Sequence, residues 1–260
     1  MKFETVKKQI DGIPYILPEM ARDLYQFILR QKPQNCLELG FAHGASSCYL
    51  AAALDELGSG HLTCVDLIPA MEWQGPTTIE TLLEKTGLSS RVDVHREATS
   101  YTWFLKKQIE AHSRDNQCQP VYDFCFIDGA KNWTIDSTAF FLVDKLLKPG
   151  GWIVFDDLQW TYISKLREGK KKTDGVSMFD MGDDELNQPH IELIFQLLVM
   201  QHPDYSHFKV KDYWWAWARK TKGNKKVTFE LSEPFKQKLA ALEAETGQKY
   251  RAPFQPFNTR

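Results

Sequence analysis

Apolar positions along the chain fall into two kinds of run, which differ in their spacing. Short apolar runs bounded by turn residues predict five strands, at residues 35–39, 61–65, 92–95, 122–127 and 151–155. Segments with helical spacing before and between them predict helices at residues 18–31, 45–57, 78–85, 101–110 and 135–147. Strands that alternate with helices predict an α/β fold with a doubly wound, mostly parallel sheet.

The pattern changes after residue 155. Residues 165–188 are polar and glycine-containing without an apolar period, so we expect a long loop, which can serve as a lid. A helix is predicted at 191–200. The runs 208–211 and 213–219 then predict a C-terminal antiparallel strand pair joined by a tight turn.

The last part of the chain is charged and holds a helix pattern at 234–245 followed by a tail. We therefore expect one main domain over residues 1–222, with a helical cap at 1–34 and an insertion at 165–190. Residues 223–260 are expected to form a C-terminal helix and tail.

Composition narrows the classes of partner. A chain of 260 residues that is 43% hydrophobic and 25% charged can bury a full core. Its formal net charge of −2 provides no basic field, so neither nucleic acid nor a membrane is expected as a partner. Five dispersed cysteines without a CxxC pair indicate reduced thiols, and no run has the length of a signal peptide or membrane span. We expect a cytoplasmic protein.

Acidic residues follow two of the predicted strands directly. Asp128 ends the strand at 122–127 and is followed by Lys131, and Asp156 and Asp157 end the strand at 151–155. Because parallel strands present their carboxyl ends at one edge, three carboxylates should converge there and repel one another unless a divalent cation with oxygen preference neutralises them. Mg²⁺ is the leading candidate, with Mn²⁺ or Ca²⁺ as substitutes. The alternative is that the two adjacent acids only cap the following segment while the lysine lies at the surface.

A glycine turn follows the first strand. Gly40 and Gly44 allow a ligand to approach the backbone, and Ser46 with the start of the next helix offers hydrogen-bond donors. Glu38 precedes the turn, and Asp66, after the second strand, suits a carboxylate that accepts hydrogen bonds from ribose hydroxyls. A purely structural turn and a helix N-cap are the alternatives.

Four motifs, taken in their order and spacing, carry a resemblance to a known family. They are Leu37-Glu-Leu-Gly40-x-x-x-Gly44, Val65-Asp66, Tyr122-Asp-Phe-Cys-Phe-Ile-Asp128 and Leu147-Lys-Pro-Gly-Gly151. Over about residues 10–219 the chain resembles the class I S-adenosylmethionine-dependent methyltransferases, which implies a Rossmann-like methyltransferase fold and S-adenosylmethionine as cofactor. The resemblance also implies cofactor-binding roles: Glu38 and Gly40 along the methionine and ribose portion with Gly44 in the same turn, Ser46 at the carboxylate, Asp66 at the ribose hydroxyls, Ala98 and Thr99 beside the adenine, and Asp128 as a further cofactor-binding residue.

Within that superfamily, Asp128-Gly-Ala-Lys131 with Asp156-Asp157 resembles the metal-dependent O-methyltransferases, which act on catechols, caffeoyl-coenzyme A, sugars and antibiotics. The second acid of the pair is Asp157 instead of asparagine, which resembles the bacterial branch. The resemblance implies methylation of a hydroxyl on a small molecule with vicinal oxygens, such as a catechol, a sugar or another natural product. It implies Mg²⁺ held by Asp128, Asp156 and Asp157, with Asp128 also at the catalytic centre and Lys131 as a general base whose pKa is lowered beside the metal. A homodimer follows from the resemblance alone.

Two other functions stay open at this stage. One is a metal-independent methyltransferase that acts on a nitrogen, a carboxylate or a macromolecule. The other is a cofactor-binding protein without catalysis, in which residues 234–260 dock a partner. Trp133 and Trp160 each follow a proposed metal ligand and can either wall the acceptor or pack, while Trp214, Trp215 and Trp217 are expected to pack. Residues 13–18, with the loop at 168–188, are expected to form the acceptor pocket and its lid.

Overall fold

The main sheet of the computed structural model is formed by eight strands among the described residues, which are 1–68, 77–167, 181–247 and 249–250. Its strands are β1 Asn35–Leu39, β2 His61–Leu67, β3 Val92–Glu97, β6 Tyr122–Ile127, β7 Leu147–Phe155, β8 Ser206–Lys211, β9 Trp215–Arg219 and β10 Val227–Glu230. Their order in the sheet is β10-β8-β9-β7-β6-β1-β2-β3. A separate antiparallel pair consists of β4 Ser113–Arg114 and β5 Gln117–Cys118.

Helices cover both faces of this sheet. Those in the described part of the chain are Phe3–Gln9, Pro18–Gln31, Ala45–Leu57, Ile79–Thr86, Tyr101–Ala111, Trp133–Leu146, Tyr162–Arg167, Asp183–Asn187, His190–Ile194 and Glu233–Thr246, with a π-helical turn at Phe195–Val199. None of the helices described is long and apolar enough to cross a membrane. All five cysteines are free thiols, and only Cys118 among them has appreciable exposed surface.

Two apolar cores lie on opposite faces of the sheet because successive strand residues point in opposite directions. In β6, Phe124 and Phe126 pack with the helices Pro18–Gln31 and Ala45–Leu57. Cys125 and Ile127 belong to the other core, which includes the helices Tyr101–Ala111 and Trp133–Leu146. Strands buried on both faces explain the continuous apolar runs of the sequence.

The direction of winding reverses between β1 and β6. β1 pairs in parallel with β2 on one side and with β6 on the other, and β7 continues in parallel beyond β6. The ladder extends one residue past each strand: Gly40 N donates to Val65 O at 2.8 Å, Asp128 N to Leu39 O at 2.8 Å, and Asp156 N to Ile127 O at 3.0 Å. The glycine turn and both acidic strand ends therefore meet at the switch point, where open α/β sheets bind ligands.

The doubly wound, mostly parallel sheet and the C-terminal antiparallel pair are confirmed. Three details were not predicted. The region expected to be one long loop contains helices at Tyr162–Arg167 and Asp183–Asn187, while residues 168–180, the centre of the expected lid, lie outside the described residues. Val227–Glu230 forms a parallel edge strand beside β8, so the boundary expected at residue 222 falls between two strands of one sheet. A short helix, Phe3–Gln9, precedes the first predicted one.

Gly40 is required by a close approach of two loops. Its φ is +88°, and a Cβ built there would lie 2.5 Å from Gly129 Cα and 2.6 Å from Asp128 O. We expect Gly40→Ala to lower the free energy of unfolding by about 3 kcal/mol, because backbone atoms cannot move aside as a flexible side chain can. Gly58→Ala is the control, since Gly58 shares a positive φ of +72° but has open space around it. It should cost about 1 kcal/mol in urea unfolding, and equal losses for both variants would contradict the packing argument.

Candidate active site

Three carboxylates converge where β6 and β7 end. Ligand oxygens of Asp128, Asp156 and Asp157 all lie within 4.8 Å of one another. Asp156 is buried, and the other two acids are partly exposed. This is the cluster that the two acidic strand ends predicted, and its oxygen-only donors match the ligand preference of Mg²⁺.

Lys131 is the cation inside this cluster. Its Nζ donates to Asp128 Oδ1 and lies 3.1 Å from Asp157 Oδ2. The side chain is only 6% exposed, so it does not lie at the surface as the alternative interpretation required. Both Lys131 (φ +62°) and Asp157 (φ +57°) adopt the left-handed backbone region, which is uncommon for such residues and occurs preferentially at functional sites.

Burial and mutual repulsion shape the protonation of the cluster. Burial raises the pKa of Asp156 well above its usual range, and the charges of Asp128 and Asp157 add to the effect. The pKa of Asp128 is raised by burial against the opposing influence of Lys131. Burial lowers the pKa of Lys131, but the three carboxylates outweigh it and raise that pKa overall. One lysine therefore compensates three acids incompletely, which leaves the site suited to a further positive charge.

Trp215 and the backbone fix Asp156. Trp215 Nε1 donates to Asp156 Oδ1 at 2.5 Å, and Asp157 N donates to the same oxygen at 2.7 Å. Trp215 is almost fully buried, so this bond is protected from water. The expectation that Trp215 only packs is therefore incomplete, because its indole also positions a carboxylate of the cluster.

A second set of buried polar groups holds the turn from Asp128 to Lys131. Ala130 N donates to Tyr101 Oη at 3.2 Å, and Tyr101 Oη in turn donates to Asp136 Oδ1. Asp136 Oδ2 accepts from Asn132 N at 2.9 Å. Tyr101 and Asp136 were not predicted as site residues, because the tyrosine lies 35 positions before the aspartate and no local pattern joins them.

Asp66 organises the glycine turn. Its Oδ2 accepts hydrogen bonds from Phe41 N at 3.0 Å and Ala42 N at 2.8 Å, and its Oδ1 accepts from Leu67 N at 2.7 Å. The carboxylate thereby ties the turn to the end of β2. The alternative of a helix N-cap concerns the segment after Asp66, where residues 69–76 lie outside the described residues.

Glu38 lies behind the turn with no exposed surface. Its Oε2 accepts from Ser47 Oγ and from Cys64 Sγ at 3.1 Å, while Oε1 has no hydrogen-bond partner in the described structure. Burial raises the pKa of Glu38 to about 7, although hydrogen bonds from Ser46, Ser47 and Cys64 oppose the change.

This pKa of Glu38 predicts a pH-dependent stability. In the unfolded chain the carboxyl has its ordinary pKa of 4.5, so between pH 4.5 and about 7 the folded state holds a proton that the unfolded state has released. The contribution of Glu38 to the free energy of unfolding should therefore be complete at low pH, and it should fall by about 3 kcal/mol as the pH rises through this window. Urea unfolding of wild type and Glu38→Gln across pH 4.5–8 measures this, because the difference between the two isolates the glutamate. A difference that does not change with pH would refute the argument.

A large cleft, with a volume of about 2050 Å³, opens over these groups. Its described lining includes the following predicted residues: Gly40, Ser46, Asp66, Ala98, Thr99, Asp128, Lys131, Asp156, Asp157 and Trp160. Glu38, Gly44 and Trp133 are not among the lining residues. Gly44 instead packs on Ile79, and Trp133 N donates to His190 Nδ1 at 3.0 Å. The cleft is larger than the pocket of one small ligand, so it has room for a cofactor and an acceptor together.

The N-terminal segment forms one wall of this cleft, as residues 13–18 were expected to do. Tyr15, with φ +80°, stacks on His43 with 5.6 Å between ring centroids. His43 Nδ1 also contacts Thr77 O at 3.0 Å, so the imidazole is held within the turn and is not simply solvated.

The parallel sheet with its reversal at β1, the glycine turn and the acid after β2 define the class I, S-adenosylmethionine-dependent methyltransferase fold. Residues 37–158 match the family model described as a methyltransferase domain. This match covers just under half of the chain, and over these residues it confirms the resemblance found in the sequence.

Solved structures share this fold. Over 85% of this chain and 92% of the other, the fold matches an O-methyltransferase from Bacillus cereus in complex with SAH, with a TM-score of 0.57 and 22% identity. A putative caffeoyl-CoA O-methyltransferase from Staphylococcus aureus matches over the same shares, with a TM-score of 0.57 and 18% identity. TomG of Streptomyces achromogenes, an O-methyltransferase involved in tomaymycin synthesis and solved with SAM, matches over 84% and 89%, with a TM-score of 0.54 and 16% identity. A search of curated proteins finds no match.

Proposed function

We propose that the protein transfers the methyl group of S-adenosylmethionine to a hydroxyl of a small molecule with vicinal oxygens, assisted by Mg²⁺. The observation that carries this proposal is the convergence of the oxygens of Asp128, Asp156 and Asp157 within 4.8 Å around Lys131. A methyltransferase that binds only its cofactor needs no such cluster at the acceptor side of the cleft. The neighbours in complex with SAH or SAM support the choice of cofactor, and their names as O-methyltransferases support the choice of acceptor atom.

The cofactor would occupy the part of the cleft bounded by β1, β2 and β3. Gly40 gives close access to the backbone, and Ser46 offers a hydroxyl at the start of the helix Ala45–Leu57. The Asp66 carboxylate would accept hydrogen bonds from the ribose, while Ala98 and Thr99, directly after β3, would border the adenine. Asp128 would lie next to this part of the cleft, because β6 pairs with β1.

The acid cluster fits a divalent cation. Its three carboxylates carry more negative charge than one lysine compensates, and the raised pKa of Asp156 shows that the charged state is costly without further neutralisation. When bound, Mg²⁺ supplies Lewis acidity that favours ionisation of a neighbouring acceptor hydroxyl. Asp128, Asp156 and Asp157 would hold it, and the bond from Trp215 Nε1 keeps Asp156 in place.

Lys131 is proposed as the proton acceptor. Its Nζ is held between two of the acids, inside the cleft and away from bulk water. With the carboxylates unneutralised, the pKa of Lys131 is raised, contrary to the lowered value expected from the sequence. Neutralisation of those carboxylates would remove the charges that raise it, so the burial that favours the neutral amine would prevail.

The proposal is tested by methyl transfer from labelled S-adenosylmethionine to catechol, to sugars and to polyketide diols, before and after treatment with a chelator. We expect turnover on a vicinal-diol acceptor that the chelator abolishes and Mg²⁺ restores. Turnover that resists the chelator would favour a metal-independent methyltransferase and contradict the role of the acids.

A further inference from the structure

The C-terminal segment, which consists of residues 227–247 and 249–250, returns to the mouth of the cleft. It first adds β10 to the sheet beside β8 and then begins the helix Glu233–Thr246. Ser232 N donates to Asp212 Oδ1 at 2.6 Å, and Asp212 N donates to Glu230 O at 2.8 Å, so the segment is bonded to the turn between β8 and β9. The side chains of Phe235 and Lys238 line the cleft.

An aromatic cluster fixes this segment against the same turn. Tyr213 contacts Phe229 and Phe235 edge to face, with ring centroids 6.1 Å and 5.9 Å apart. It also stacks on Tyr250 at 5.7 Å with the planes 3° apart. Tyr250 Oη donates to Gln159 Oε1 at 2.6 Å, and Gln159 follows the acid pair by two positions. The segment is therefore attached before its helix to the turn between β8 and β9, and after its helix to the loop that carries Asp156 and Asp157.

The turn that receives these contacts is strained. Asp212 and Tyr213 have φ values of +51° and +52°, a pair of left-handed conformations that hairpin turns usually assign to glycine or asparagine. Such backbone persists only where its surroundings hold it. The next residue, Trp214, lines the cleft, and its carbonyl accepts from Leu158 N at 3.0 Å. The C-terminal segment thus stabilises the conformation that places Trp214 in the cleft lining.

Sheet order locates this wall at the acceptor end of the cleft. β9 and β7, which carry Trp214 and the acids at their ends, lie on the opposite side of β6 and β1 from β2 and β3, where Asp66 and Thr99 lie. Phe235, Trp160 and Trp214 therefore line the part of the cleft that the cofactor does not need. Flat aromatic side chains around an oxygen-ligand cluster suit an acceptor that is itself an aromatic ring with two adjacent hydroxyls.

We infer that the C-terminal segment forms the acceptor wall of the active site and that Phe235 selects aromatic vicinal diols over saturated ones. This inference rests on the proposed function and adds to it the class of acceptor. Lys238, one helical turn beyond Phe235, lies on the same face of the helix.

The test is calorimetric binding of catechol to full-length protein saturated with S-adenosylhomocysteine and Mg²⁺, with saturated cyclohexane-1,2-diol as the comparison ligand. We expect catechol to bind the wild type more tightly than the saturated diol, and Phe235→Ala to weaken catechol binding about tenfold, the scale of one aromatic contact. Leu242→Ala is the matched control, since Leu242 is an exposed apolar residue of the same helix outside the cleft lining and should change nothing. Tyr250→Phe removes only the bond to Gln159 and should also weaken catechol binding. This second variant tests the inference even if Phe235→Ala perturbs folding.

Equal catechol affinity in wild type, Phe235→Ala and Tyr250→Phe would overturn the inference, as would equal affinity of the wild type for the two diols. Methyl transfer measured on the same samples separates this outcome from failure of the proposed function. Turnover that is unchanged by Phe235→Ala refutes the acceptor wall alone, whereas Phe235-dependent binding without turnover in the wild type refutes the methyl transfer alone.

Discussion

Asp156→Asn is expected to lower methyl transfer by about a thousandfold or more, while the affinity for S-adenosylhomocysteine stays within about twofold of wild type. The substitution removes one of three negative charges, but the asparagine oxygen can still accept from Trp215 Nε1 and Asp157 N, as Asp156 Oδ1 does. The fold and the cofactor end of the cleft should therefore survive. Rate and binding are measured on the same preparation by label transfer and calorimetry.

Asp123→Asn provides the control for this variant. Asp123 lies on the same strand, β6, but near its amino end, where it pairs with Lys148 at 2.9 Å. Loss of this charge should leave turnover unchanged. Joint loss of turnover and cofactor binding in Asp156→Asn would mean that the acid cluster is structural, and the metal role would have to be abandoned.

Lys131→Ala is expected to lower the rate of methyl transfer by about 10²- to 10⁴-fold, the range of a general base. The loss should be largest at low pH, where fewer acceptor hydroxyls are already ionised. Because Lys131 Nζ contacts Asp128 and Asp157, its removal also frees those oxygens, so the affinity for Mn²⁺ should be equal to or higher than that of wild type. A pH–rate profile combined with a metal titration separates the two effects.

The matched control for Lys131→Ala is Lys148→Ala. It breaks the ion pair between Lys148 and Asp123, which lies near the amino ends of β7 and β6. It should leave the pH profile unchanged. A uniform decrease at all pH values in Lys131→Ala, or weaker metal binding, would show that Lys131 positions the acids and does not accept the proton.

The acid cluster was predictable because its geometry follows from sheet topology alone. Asp128 and Asp156 each come directly after an apolar strand, and neighbouring parallel strands bring their carboxyl ends together. The glycine turn was predictable for the same reason. Gly40 follows β1, and β1 separates β2 from β6.

The supports of that cluster could not be read from the sequence. Trp215 reaches Asp156 because β9 runs antiparallel to β7 with Phe155 opposite Ala216, and this register depends on the whole sheet. Tyr101 and Asp136 meet only after two helices pack side by side on one face. Local patterns predict which residues end a strand, but contacts between distant elements decide which side chains hold them there.

The strand in the C-terminal segment could not be predicted, for another physical reason. The run Val227–Glu230 is short and mostly exposed, so it lacks the apolar alternation that identifies a strand, and backbone pairing with β8 alone establishes it. The helix Glu233–Thr246 was predicted from its charged helical pattern, and it has no buried residue. The helix is held by ring contacts of Tyr213 with Phe235 and Tyr250, which lie far apart in the sequence.

The central claim is that Asp128, Asp156 and Asp157 hold a divalent cation beside the cofactor, and a titration of Mn²⁺ into protein saturated with S-adenosylhomocysteine tests it most directly. Electron paramagnetic resonance counts the bound metal in wild type, Asp156→Asn and the Asp123→Asn control. The account predicts one tight site in wild type and in the control, lost or greatly weakened in Asp156→Asn. No tight site in wild type, or an equally tight one in Asp156→Asn, would contradict it.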